Sequence, residues 1–164
     1  ARVIASTYLI GIGSNRFGLR GGPRAIVARF LADMDPHWGA VIATSDIISS
    51  APLGPGARTY ANAVAAIESI LGPLELLAHL KSIERAHGRR AGRRWGDRVI
   101  DLDIIAWSGG IFSSPALTIP HREFRKRRFV LSPLCQIAPG WRDPVTHLTA
   151  RHLLTRLDRR RPRP

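Results

Sequence analysis

The order in which hydrophobic periodicities change along this chain is its strongest constraint on fold. Val3 to Ile12 is rich in β-forming residues and ends in Gly11-Ile-Gly-Ser-Asn, which reads as a tight turn. Pro23 is placed to open a helix at its first turn, and Ile26, Val27, Phe30, Leu31 and Met34 then recur at three- and four-residue spacing. Trp38 to Ser49 reads as a second strand, followed by the loop Ala51-Pro-Leu-Gly-Pro-Gly. Tyr60 to Leu71 alternates with period two. Ala61, Ala63, Ala65 and Ile67 face one way, and Asn62, Val64, Ala66 and Glu68 the other. Pro73 starts a second helix with a core stripe of Leu76, Leu77, Leu80, Ile83 and His87, and Gly88 stops it. Val99 to Trp107 is a fourth strand, closed by Ser108-Gly-Gly. A short helix is expected around Phe129 to Ile137, ended by Pro139, and a last one over about Thr149 to Leu157.

The order β-α-β-β-α-β is the split βαβ, ferredoxin-like pattern. It predicts an α+β fold: an antiparallel sheet with two helices on one face, plus C-terminal helical additions. The other face is left for a ligand or for those additions. A length of 164 residues suits one domain, expected over 1–157, with 158–164 a basic, frayed tail. The single cysteine, Cys135, excludes an intramolecular disulfide framework and a cysteine-based zinc cluster. No apolar run approaches the ~20 residues that span a bilayer. The opening ARVIASTYLIGIG is basic, then apolar, but Ser6 and Thr7 interrupt it, so it reads as a strand rather than a signal peptide. A cytoplasmic location is expected.

Charge is the outlier: 25 Lys+Arg against 12 Asp+Glu, a net +13. Such a balance invites a nucleic-acid binder, but the charge is placed. Five basic residues lie in 89–98, five in 122–128 and six from 151 onward. Between the interior clusters runs Arg94-Trp-Gly-Asp-Arg-Val-Ile-Asp-Leu-Asp-Ile-Ile. On a strand, Asp101 and Asp103 share a face, roughly 7 Å apart at the backbone, while Ile100, Leu102 and Ile104 face the core. Mg²⁺ favours one or two carboxylates, waters and substrate phosphates. Carboxylates for Mg²⁺ beside arginines for phosphate suit a nucleoside triphosphate better than a long nucleic-acid face. Gly11-Ile-Gly-Ser-Asn lacks the Gly-Lys-Ser/Thr of a P-loop. His121, after Pro120, either contacts phosphate or is an ordinary surface histidine.

These residues resemble the 6-hydroxymethyl-7,8-dihydropterin pyrophosphokinase family from about Tyr8 to Pro139. The matching elements include Gly13-Ser-Asn, Pro52-Leu-Gly-Pro, Tyr60-Ala-Asn, Ile83-Glu, Arg94-Trp-Gly-Asp-Arg, Asp101-Leu-Asp-Ile, Ile119-Pro-His and Arg127-Arg-Phe. The resemblance implies pyrophosphoryl transfer from ATP to the pterin hydroxymethyl oxygen in folate biosynthesis, with AMP leaving. It implies that Asp101 and Asp103 hold two Mg²⁺ ions. Arg89, Trp95 and Arg98 would come from a mobile loop closing over ATP, with Thr118, His121 and Arg127 opposite, and Leu77 and Ile104 on the adenosine side. The pterin would lie between Tyr60 and Phe129, with Trp95 beside it. Asn62 would read its amide edge, and Leu53 with the backbone near Ser50 and Ala51 would complete the pocket. The implied partners are ATP and the pterin, with no nucleic acid or membrane, and a monomer.

The rival reading is a basic, ferredoxin-like RNA-binding module without catalysis. That class carries an Arg/Lys-Gly-aromatic strand motif with surface aromatics, and no strand of this chain has one.

Overall fold

The computed structural model describes residues 4–15, 22–34, 37–50, 60–90 and 100–160, with the backbone alone for Ser50 and 88–90. Its main sheet contains β1 (Ser6–Ser14), β2 (Gly39–Thr44), β3 (Ile48–Ser50), β4 (Tyr60–Ser69) and β5 (Asp101–Trp107). The order is β2-β4-β1-β5, with β3 also pairing with β4, and every pairing is antiparallel. This is the ferredoxin-like order. A small hairpin, β6 (Phe112–Ser113) and β7 (Thr118–Ile119), follows β5.

Strand alternation sends β1 side chains to two separate cores. Tyr8, Ile10 and Ile12 join Ala61, Ala63, Ala65, Ile67, Leu102 and Ile104 on one face. That face is covered by α1 (Pro23–Ala32) and α2 (Pro73–Arg90), through Ile26, Val27, Phe30, Leu76 and Leu80. On the opposite face Leu9, Val64, Ile105 and Ala106 meet Phe124, Leu131, Leu134 and Leu153. Those last four come from a 3₁₀ turn (Phe124–Lys126), α3 (Arg128–Ile137) and α4 (Ala150–Arg159). Each fully buried leucine contributes about 1.5–3 kcal/mol through burial. The C-terminal helices therefore occupy the second sheet face, leaving its Ser14 end for a site.

Several boundaries differ from the sequence expectation. The Gly11–Ser14 stretch is no turn: both glycines lie inside β1, flanked by β4 and β5. The expected strand Trp38–Ser49 is broken at 45–47. There the Ser45 hydroxyl accepts the Val64 amide at 2.9 Å, so a side chain replaces one ladder bond. Helix α2 runs past Gly88 to Arg90, since a glycine lowers helix propensity without forbidding helix. Helix α4 starts one residue after Thr149, whose hydroxyl caps the His152 amide, and continues to Arg159. Among the described residues no helix is long and apolar enough to cross a membrane.

Candidate active site

The register of three strands lays out the site. Gly13 of β1 stands opposite Asn62 of β4 on one side and Asp101 of β5 on the other. One step along, Gly11 stands between Val64 and Asp103. Neighbouring strands lie about 4.8 Å apart, so the Asn62 and Asp101 backbones are separated by roughly 10 Å. Between them Gly13 contributes no side chain. The row Asn62–Gly13–Asp101 is a shallow trough with an amide on one wall and a carboxylate on the other.

The carboxylate wall is built as alternation predicts. Ile100, Leu102 and Ile104 are buried at 0–3% exposure, whereas Asp101 is exposed and the Asp103 side chain is 41% exposed. Two hard oxygen donors on one face, with a side-chain-free strand beside them, fit Mg²⁺ shared with substrate phosphates. Among the described residues no group of three or more His, Cys, Asp or Glu side chains could hold a metal unaided. Two carboxylates leave the other positions of an Mg²⁺ to waters and ligand oxygens.

His121 closes the far side. Its amide donates to the Ile105 carbonyl at 3.0 Å, and its Nε2 lies 4.0 Å from Asp103 Oδ2. Its Nδ1 accepts the Glu123 amide at 3.1 Å. Burial holds the imidazole below its ordinary value; Asp103 pulls it up, Arg127 pushes it down, and Glu123 pulls it up. A neutral ring with Nδ1 accepting must carry its proton on Nε2. His121 therefore presents a donor toward the carboxylate face. Thr118, on β7, accepts a hydrogen bond from Arg122 Nε at 3.3 Å.

The two aromatics expected at the pterin are both exposed. Tyr60 is 46% and Phe129 41% exposed, so neither is core packing. Asn15 Nδ2 donates to the Tyr60 hydroxyl at 3.2 Å, and the Arg127 guanidinium lies 5.7 Å from the centre of the Phe129 ring. Asn62 is only 7% exposed, yet no described residue hydrogen-bonds to its side-chain amide. A buried amide of that kind is suited to a ligand with complementary donors and acceptors.

Other expected site residues are placed differently. Ile104 is buried in the α1/α2 core and Leu77 packs against that same core, on the sheet face away from Asp101 and Asp103. The basic segment 122–128 does not converge on the carboxylates. Arg125 forms a two-pronged bond with the buried Asp143, at 2.6 and 2.9 Å, Arg128 pairs with Asp158, and Lys126 lies near Glu123. Opposite charges within reach capture these three side chains, while Arg122 donates to Thr118 and Arg127 acts on the His121 ring through its charge. Ala51, Leu53, Trp95 and Arg98, and the side chains of Ser50 and Arg89, lie outside the described residues, as does most of the expected mobile loop.

One residue at the site, Glu84 of the Ile83-Glu element, has no role assigned to it from sequence. Glu84 of α2, at 9% exposure, accepts the Leu102 amide at 2.8 Å through Oε1 and pairs with Lys81 through Oε2 at 3.1 Å. It anchors β5 from outside, midway between the two aspartates. The signal was its spacing: position 84 follows Leu76 and Leu80 on the buried stripe of α2.

Comparison with known proteins places most of the chain in one family. Residues 9–139 match the family described as 7,8-dihydro-6-hydroxymethylpterin-pyrophosphokinase (HPPK). A Haemophilus influenzae protein named 2-amino-4-hydroxy-6-hydroxymethyldihydropteridine pyrophosphokinase is 46% identical over 99 residues, 60% of this chain and 62% of that one. A Pseudomonas aeruginosa protein of the same name is 41% identical over 63% of this chain and 65% of its own. One from Methylorubrum extorquens is 38% identical over 91% of this chain and 92% of its own. Among solved structures, Plasmodium falciparum HPPK-DHPS with pteroate superposes with a TM-score of 0.69 at 14% identity, over 93% of this chain and 42% of that one. That likeness speaks to the fold. On the sequence match, the chain belongs to the 7,8-dihydro-6-hydroxymethylpterin-pyrophosphokinase family.

Proposed function

We propose that the chain transfers a pyrophosphoryl group from ATP to the hydroxymethyl oxygen of 6-hydroxymethyl-7,8-dihydropterin, as part of folate biosynthesis. The acceptor oxygen bonds to the β-phosphorus of ATP and loses its proton. The bond between that phosphorus and the oxygen bridging to the α-phosphate breaks, and AMP leaves with that oxygen. The observation that carries this reading is the cross-strand row Asn62–Gly13–Asp101, which sets a ring-reading amide one strand away on either side of a side-chain-free gap from the carboxylates.

Tyr60 and Phe129 hold the pterin ring by stacking, and Asn62 reads its amide edge. Asp101 and Asp103 would hold two Mg²⁺ ions together with ATP oxygens, which neutralise charge on the transferred group and fix an in-line approach. His121 donates its Nε2 proton to a phosphate oxygen, and Arg127 adds a positive charge beside it. Thr118 belongs to the nucleotide side. Arg89, Trp95 and Arg98 complete the cover over ATP. Stacking of a base on an aromatic is worth about 1–3 kcal/mol by truncation. Tyr60→Ala and Phe129→Ala should therefore each weaken pterin binding by about tenfold or more, read from the fluorescence of the reduced pterin. Unchanged affinity in both variants would refute the sandwich.

A further inference from the structure

Glycine inside a strand costs stability, by roughly 0.5–1 kcal/mol relative to alanine, and asks for a reason. Gly13 does not have a left-handed backbone, and among the described residues the nearest backbone atom to an added Cβ is the Ala61 carbonyl, 4.0 Å away. What that Cβ would meet is Asn62 Oδ1, at 3.0 Å. The Asn62 side chain is buried, so it has little room to turn away. Gly11, two residues earlier on the same face, is different. Its Cβ would meet the buried Ile105 side chain of the α3-side core, at 3.2 and 3.4 Å, and would not touch Asn62.

We propose that Gly13 is a specificity-determining residue for the acceptor. Its lack of a side chain fixes the orientation of the Asn62 amide. An amide held in this way seats a bicyclic, amide-bearing acceptor with its hydroxymethyl arm toward the carboxylate face. This rests on the pyrophosphokinase reading above, and it adds a steric gate in β1 that acts through Asn62 on the acceptor, not on ATP.

The test compares wild type with Gly13→Ala, Gly11→Ala, Asn62→Ala and the Gly13→Ala/Asn62→Ala double variant. Each is titrated with the reduced hydroxymethylpterin in the presence of Mg²⁺ and a non-hydrolysable ATP analogue, and separately with the analogue alone. Gly13→Ala should weaken pterin affinity at least tenfold while holding the analogue within twofold. Gly11→Ala should stay within twofold for both. In the Asn62→Ala background, where the 3.0 Å contact is gone, the Gly13 substitution should add less than threefold. Wild-type pterin affinity in Gly13→Ala, or a loss that adds in full to that of Asn62→Ala, would overturn the proposal. If Gly13→Ala alone does not fold but the double variant does, the methyl acts through Asn62 as proposed. If neither folds, Gly13 is a structural residue and the gate is wrong. Failure of the wild type to bind the pterin at all would instead sink the functional reading.

Discussion

Asp103→Ala is expected to lower turnover on the order of a thousandfold and to leave the fold intact. The size follows from the role proposed for the carboxylate. A charge-neutralising site on a transferred phosphoryl group is worth several kcal/mol in the transition state, and about 4 kcal/mol is three powers of ten. The fold should tolerate the change because the Asp103 side chain is 41% exposed and points away from Ile100, Leu102 and Ile104. Product formation and thermal unfolding measured on one preparation check both halves. A variant with near-wild-type turnover would remove Asp103 from the metal site. One that unfolds would show that it holds β5 together.

The second large effect lies away from the chemistry. Asp143 is fully buried and accepts four hydrogen bonds: two from Arg125, one from the Val145 amide and one from the Thr146 hydroxyl. Burial alone pushes its carboxyl up. The hydrogen bonds from Arg125, Val145 and Thr146, with the Arg125 charge, outweigh burial and hold it below its ordinary value. Breaking a buried pair on one side costs about 3–5 kcal/mol, because the remaining charge loses its partner. Asp143→Ala should therefore lower the melting temperature by roughly 10 °C in a domain of this size. Replacing both partners, as Arg125→Met with Asp143→Leu, should recover only part of the loss, since Val145 and Thr146 also bond to the carboxylate.

The pH dependence has a definite sign. A carboxyl held below its ordinary value binds fewer protons in the folded state than in the unfolded one, so it stabilises the fold above the ordinary value of 3.8. That contribution is lost as pH falls from there through the lower folded-state value. The stability gap between wild type and Asp143→Ala, from denaturant titrations, should be constant near neutrality and shrink below about pH 4. A gap that widens in acid would contradict the assignment.

What the sequence made legible was whatever depends on local spacing. The face shared by Asp101 and Asp103 needs only strand alternation, and the α1 stripe needs only helical periodicity; both appear as expected. What was hidden depends on partners distant in the chain. Gly11-Ile-Gly-Ser-Asn has turn composition, and only the pairing of Gly13 with Asn62 and Asp101 makes it a strand floor. The basic run 122–128 looked like one phosphate-binding cluster until Asp143 and Asp158 were brought to Arg125 and Arg128. Glu84 was open to reading, because a carboxylate on a buried stripe asks for a partner, but the partner is a backbone amide that no sequence pattern names.

The most direct test of the proposed transfer is to follow the fate of ATP carrying label in its β-phosphate, incubated with the protein, Mg²⁺ and 6-hydroxymethyl-7,8-dihydropterin. The account predicts that the label appears in the pterin product and that AMP accumulates in equal amount. Release of ADP, or no transfer of the β-label to the pterin, would contradict it.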